Sequence, residues 1–281
     1  MTEISMKTRV ITAVVMVALM VPFFIWSDTV AFPILMAFFG ALGAYEMQSC
    51  IGSKKQWFSS IVAILIGAGL PFFVRYYDGF NLYGYLFLIS FAVITYMLIV
   101  SVFSGERFTV DRAVLSGATT VYIAFGFASM VLLRDMPFGQ YIYFLPFIIS
   151  WMTDTFAYFT GMLLGKHKLI PAVSPKKTVE GAVGGTLFAI GFTVLYGFVV
   201  GKISGAVPNY LALIIVSLLV SILSQCGDLI MSLIKRKFEI KDYGKLFPGH
   251  GGVLDRFDSI IVTSACIYFL TNFVSSFTLF N

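Results

Sequence analysis

The chain has 281 residues; 59% are hydrophobic, 12% are charged and 30 are phenylalanine. Apolar content this high over this length rules out an ordinary soluble domain and specifies an all-α, polytopic integral membrane protein. The formal net charge is +5, and the widely spaced Cys50, Cys226 and Cys266 form no CxxC pair, so neither a disulfide framework nor a zinc site is indicated.

Met1–Ser5 are polar and are expected to lack fixed structure. Lys7 and Arg9 then precede the apolar run Val10–Trp26. That run is longer than a usual signal-peptide core, and no small-x-small cleavage site follows it, so it reads as a retained signal anchor. Eight more apolar runs follow, near 29–45, 57–74, 81–103, 113–133, 140–164, 181–200, 208–234 and 258–280. Each is long enough to cross about 30 Å of hydrocarbon as a helix. None shows the ten-residue alternation of a barrel strand.

About nine spans place the termini on opposite sides. With the N-terminus cytoplasmic, that side receives Lys7, Arg9, Lys54, Lys55, Arg107, Arg112, Lys166, Lys168, Lys176, Lys177, Lys235, Arg236, Lys237, Lys241, Lys245 and Arg256. The far side receives only Arg75, Arg134 and Lys202. Such a bias is the positive-inside pattern, and it accounts for the net charge without a nucleic-acid partner.

The two halves differ. Residues 1–135 carry short connections and read as a transmembrane scaffold of spans 1–5. Residues 136–281 carry spans 6–9, the long cytoplasmic loops 165–180 and 235–257, and acids inside spans. Asp154 lies in span 6 and Asp228 in span 8. A carboxylate within a span costs about 2.5–3.5 kcal/mol on insertion scales and marks a functional candidate. The alternative is a helix–helix hydrogen bond assisted by Thr153, Thr155, Ser224 or Gln225. Asp228 near the end of one helix and Asp255 near the start of the next fall at similar depth in an antiparallel hairpin. Two carboxylates meeting there repel unless a cation lies between them, and Mg²⁺ suits carboxylates, waters and substrate phosphates.

In loop 165–180, Ser174 before Pro175 predicts a helix start, with Ser at the N-cap and Pro at N1. Such an end attracts phosphate, and Lys176 and Lys177 add charge; contact with anionic lipid heads is the alternative, weightier for Lys166 and Lys168 than for the two lysines beside the cap. Glu180 reads as a further ligand or as a complement to the helix dipole, and His167 takes no role. Glu46, at the end of span 2, reads as interfacial.

Loop 235–257 contains Pro248-Gly249-His250-Gly251-Gly252, a turn whose glycines let backbone N–H groups converge on an anion. Asp255 and Asp258 follow at i and i+3, on one face if a helix begins there. His250 is not needed as a general base if the nucleophile is a phosphate monoester, whose second pKa is about 6. It reads instead as orienting the turn or donating to a phosphate.

Residues 232–258 resemble the signature of the phosphatidate cytidylyltransferases, or CDP-diacylglycerol synthases. The matching positions are Ser232, Lys235, Arg236, Lys241, Asp242, Gly244, Pro248, His250, Gly251, Gly252, Asp255, Arg256 and Asp258. Ser174-Pro175-Lys176-Lys177-Thr178 with Glu180-Gly181 resembles a second motif of that family, and Asp154 and Gly227-Asp228 fit its membrane acids. The resemblance covers roughly residues 140–281. It implies transfer of a cytidylyl group from CTP to phosphatidate at the cytoplasmic face of the cell's inner (plasma) membrane. It implies Mg²⁺ on Asp228 and Asp255, with Asp154 and Asp258 as supporting ligands and room for a second cation such as K⁺. Phosphates would meet Lys176, Lys177 and Arg256, with Ser174, Lys235, Arg236, Lys241, His250, Gly251 and Gly252 binding substrate, in a homodimer. An ion-coupled transporter is the rival reading of intramembrane acids, although its interruptions should recur in both halves of a repeat. The D-G-x-x-A-R motif of the CDP-alcohol phosphotransferases is absent.

Overall fold

A computed structural model describes residues 6–52, 57–274 and 278–281. Met1–Ser5, Lys54 and Lys55 lie outside them. Ten α-helices are formed by the described residues: α1 Met6–Ile25, α2 Ala31–Ile51, α3 Trp57–Tyr76, α4 Leu82–Ser104, α5 Val110–Asp135, α6 Gly139–Ile142, α7 Leu145–Leu164, α8 Val179–Ser204, α9 Tyr210–Lys237 and α10 Leu254–Phe273. Among the described residues, seven helices are long and apolar enough to cross a membrane: α2, α3, α4, α5, the α6–α7 stretch, α8 and α9. The all-α, polytopic class therefore holds.

Two sequence expectations are corrected. Ser174-Pro175 does not start a helix. Strand β1 (Lys168–Ile170) pairs antiparallel with β2 (Ser174–Thr178), and α8 begins only at Val179. Pro175 has no N–H to donate, which a two-stranded hairpin tolerates at its edge. The cap is Thr178, whose Oγ1 accepts the Gly181 N–H at 3.1 Å. The last span does not run to residue 280 as helix. α10 ends at Phe273, while Leu279 and Phe280 are buried and the chain end pairs with the α8–α9 loop, Val207 N–H to Asn281 O at 2.9 Å and Asn209 N–H to Leu279 O at 2.9 Å. An apolar run satisfies the hydropathy test equally as helix or as a buried extended tail.

The chain folds as two compact units: residues 1–132 with 237–257, and residues 133–236 with 258–281. In the first, α2 and α3 touch backbone to backbone where Gly40 meets Gly67; a Cβ on either would collide with the other's carbonyl. Small residues permit such contact where lipid removes the hydrophobic drive for helix association. Buried polar bonds tie α2 to α5: Ser116 donates to Gln48 Oε1 at 2.7 Å, and the Gln48 amide donates to Thr120 at 3.2 Å. The ring of Phe257, in the returning segment, packs at a tilt against Phe39 of α2 (4.7 Å) and Phe127 of α5 (5.5 Å). The second half of the signature is thereby fixed to helices from the start of the chain.

In the second unit, three of the side chains suspected of bonding the intramembrane acids, Thr153, Ser224 and Gln225, bond hydroxyls of neighbouring helices. Thr153 pairs with Ser221 (2.8 Å), Ser221 donates to Thr186 (3.0 Å), Gln225 donates to Thr186 (3.2 Å), and Ser224 donates to Ser150 (3.4 Å). This network joins α7, α8 and α9. Ser150 also meets Thr263 of α10 at 3.2 Å.

Candidate active site

In the second unit Asp228 stands between Lys177 and a second carboxylate, Asp258. The register of β2 against β1 shifts between Lys168 and Ile170, and burial separates the two lysines of β2. Lys176 is exposed, and Lys177 is half-buried, with its ammonium paired to Asp228 Oδ2 of α9. Asp258 of α10 is within hydrogen-bonding reach of Asp228, and both Asp228 and Asp154 of α7 act on it electrostatically. Close approach of α9 and α10 makes this possible: a Cβ on Gly227 would lie 3.0 Å from the Asp258 carbonyl oxygen. Two carboxylates this close repel, and Lys177 supplies one compensating charge.

The hairpin base is closed by Glu180. Its carboxylate accepts the backbone N–H groups of Lys166 (3.1 Å) and His167 (3.2 Å) and pairs with His167 Nδ1 at 2.6 Å. Glu180 and His167 therefore shape the loop. Arg236, at the end of α9, is exposed and its Nε reaches the Val173 carbonyl at 3.5 Å. Ser174 and Lys235 are half-buried.

In the first unit, the glycine turn is a closed hydrogen-bonded device. Phe247 N–H donates to Gly251 O (2.9 Å), while His250 and Gly251 N–H groups return to Phe247 O (2.8 and 3.1 Å). Gly251 has φ +86°, a conformation that glycine adopts without steric cost. The amides that follow do converge on anions, but the anions are the protein's own. Asp255 Oδ2 accepts Tyr243 N–H at 2.8 Å and Gly252 N–H at 2.9 Å. Glu46 of α2, 6% exposed, accepts Val253 N–H on Oε1 and Leu254 N–H on Oε2, both at 2.9 Å. A carboxylate is well placed at the first amides of α10, where the helix dipole is positive. Gly252 and Gly244 flank it, and a Cβ on either would strike the Glu46 carboxylate. Arg256 is exposed and its Nε donates to the His250 carbonyl at 2.8 Å; Lys241 is exposed on the same loop.

Sequence reading took Glu46 as interfacial and gave it no part in the signature loop. Its apolar window closed at residue 45, whereas α2 continues to Ile51. The signal was present: a carboxylate inside a span is a functional candidate by default.

The family model described as "Cytidylyltransferase family" matches residues 7–274. This chain belongs to the cytidylyltransferase family. Among its relatives, a protein of Bacillus subtilis named phosphatidate cytidylyltransferase is 30% identical over 95% of this chain and 98% of its own length. Proteins of that name from Staphylococcus saprophyticus (33% identical over 91% of this chain and 95% of their own) and Brucella abortus (34% over 94% and 92%) are similarly close. None of these names describes a transporter.

The acid cluster suits a hard divalent cation. Among the described residues no three Asp, Glu, His or Cys side chains close into a ready-made cage. Mg²⁺ does not require one; it takes one or two carboxylates and completes its shell with waters and substrate phosphates. Asp228 and Asp258, in hydrogen-bonding reach of each other, offer that donor set.

Proposed function

We propose that this cytidylyltransferase transfers the cytidylyl group of CTP to phosphatidate, giving CDP-diacylglycerol and pyrophosphate for phospholipid synthesis. The observation that carries this reading is the pairing of Lys177 with Asp228 beside Asp258, inside a chain matched by the family model from residue 7 to 274. A phosphatidate oxygen attacks the α-phosphorus of CTP. The bond from that phosphorus to the bridging oxygen of the β-phosphate breaks, and pyrophosphate leaves with the electron pair. The phosphate monoester is largely ionised at neutral pH, its second pKa being about 6, so no general base is required.

Catalysis of this kind rests on positioning and on charge stabilisation. Asp228 and Asp258 would hold Mg²⁺, with Asp154 in support, and the ion would neutralise charge on the phosphates. The family resemblance assigns Asp255 to metal as well, and leaves room for a second cation such as K⁺. Lys177, which leans on Asp228, is set to move onto a CTP phosphate as that carboxylate is neutralised. Lys176, Lys235, Arg236, Lys241 and Arg256 add positive charge, and Ser174 and His250 offer donors. The amides of Gly252, Val253 and Leu254 are engaged by Asp255 and Glu46, so side chains rather than this turn's backbone would grip phosphate.

The test is release of pyrophosphate by purified protein with CTP and Mg²⁺. Release should require phosphatidate; release without it would point to simple CTP hydrolysis.

The difference in burial between Lys176 and Lys177 gives a sharper expectation. Lys177→Ala should lower turnover by about 10²-fold or more, as expected for a group that stabilises transferring phosphates. Lys176→Ala should cost less than about tenfold, because an exposed, screened charge contributes little. The contrast should persist in neutral detergent, where no anionic lipid is present. Equal losses for both variants would count against the inward placement of Lys177.

We also propose nine spans, with the N-terminus and the site on the cytoplasmic side of the inner membrane. The three basic residues left on the far side each have a local partner: Arg75 at the Ser27 and Asp28 carbonyls, Arg134 over the Tyr143 ring and Lys202 over the Phe198 ring. A reporter fused after Asn281 should behave as extracytoplasmic; cytoplasmic behaviour would overturn the span count. A homodimer is part of the proposal, and light scattering of the detergent complex should give twice the chain mass, a monomer mass contradicting it.

A further inference from the structure

The first unit contains an apolar cavity of about 670 Å³ that the transfer chemistry does not use. One wall is α1 with Val15, Leu19 and Phe23, and another is α2 with Ile34 and Phe38. The third wall is Leu246, Phe247 and Pro248, which belong to the otherwise polar signature loop. Leu19, Ile34, Phe38 and Leu246 remain 45–66% exposed. Leu246–Pro248 run directly into Gly249–Gly252.

We propose that this cavity holds an acyl chain of the phosphatidate substrate, an inference that rests on the phosphatidate reading above. Three observations favour a substrate chain over bulk lipid. The volume lies within the range of about 300–1,000 Å³ found for small-ligand pockets. The hydrocarbon wall and the glycine turn are one hydrogen-bonded unit, since Phe247 makes three backbone bonds to His250 and Gly251. The polar end of that unit carries Arg256, whose Nε is bonded to the His250 carbonyl. A molecule with a hydrocarbon tail and an anionic phosphate meets both ends at once; an unattached alkane meets only one, and a zwitterionic lipid brings a phosphodiester whose single charge its own cation offsets, where phosphatidate brings a monoester of charge up to about −2. Filling the cavity would also press on Phe247 and so on the turn, linking lipid occupancy to the geometry of the loop.

The experiment fills the cavity with Leu19→Trp and, separately, Ile34→Trp. Turnover is measured in detergent with dipalmitoyl and with dihexanoyl phosphatidate. The expected result is a fall of about tenfold or more in kcat/KM for the long-chain lipid, with short-chain turnover and the KM for CTP within about twofold of wild type. Equal losses on both lipids, or none, would overturn the proposal. A second measurement needs no variant: phosphatidate carrying a diazirine at the tip of one acyl chain is photolysed on the wild-type protein. Label should fall on residues 6–25 and 31–51 and be displaced by excess phosphatidate but not by phosphatidylcholine. Label confined to other helices, or displaced equally by both lipids, would refute it. Wild-type turnover of dipalmitoyl phosphatidate separates the two claims: its presence with mislocated label defeats the cavity alone, its absence defeats the activity itself.

Discussion

Asp228→Asn should abolish cytidylyl transfer, lowering turnover by about 10³-fold or more, the scale seen when a transition-state charge partner is removed. If Asp228 served only a helix–helix contact, asparagine would retain a hydrogen-bonding group, and such bonds average about 0.6 kcal/mol in a membrane protein. Thermal stability adds a second readout. Wild-type protein should gain melting temperature with Mg²⁺, as any ligand selective for the folded state confers, and Asp228→Asn and Asp258→Asn should gain less. Without metal the two variants should differ. Asp258→Asn relieves repulsion and leaves the Lys177–Asp228 pair intact, so its melting temperature should hold or rise. Asp228→Asn relieves the same repulsion but strips Lys177 of its partner, so the two changes offset. Asp255→Asn tests the acid whose Oδ2 already holds two amides. It should lose both activity and some metal-free stability. Active variants with an undiminished Mg²⁺ shift would remove these residues from the metal site.

The second large effect is expected at Glu46, far from the signature in sequence. Glu46→Ala leaves the amides of Val253 and Leu254 without their acceptor. A buried donor left unsatisfied costs about 1–3 kcal/mol, so two should destabilise the loop by about 2–6 kcal/mol, partly offset because a buried carboxylate is no longer desolvated. Glu46→Gln keeps one acceptor oxygen and turns an NH₂ donor toward an N–H donor, giving an intermediate loss. Gly252→Ala, whose methyl would strike the same carboxylate, should resemble Glu46→Ala. Melting temperature in detergent and turnover should fall together across the three variants. Normal activity in Glu46→Ala would mean that the turn holds its shape without this anchor.

Composition and charge bias carried the class, because a bilayer permits few solutions for a chain this apolar. The signature was legible because its residues are contiguous, and Asp154 and Asp228 stood out because acids in apolar runs are rare. Three features were not legible, each for a physical reason. Ser174-Pro175 satisfies the rules for a helix start, yet the pairing of β1 with β2 overrides local propensity and moves the cap to Thr178. The difference between Lys176 and Lys177 exists only once the hairpin packs one of them against Asp228. Glu46 and Val253 are 207 residues apart, and no local pattern joins an acid in α2 to the amides of α10.

The central claim is that the α-phosphoryl of CTP becomes part of a lipid. Purified protein in mixed micelles with phosphatidate and Mg²⁺ is given CTP labelled at the α-phosphorus, and in parallel CTP labelled at the γ-phosphorus. The α-label should extract with CDP-diacylglycerol into the organic phase, and the γ-label should remain in water as pyrophosphate. Appearance of α-label as water-soluble CMP, or of γ-label in the lipid, would contradict the account.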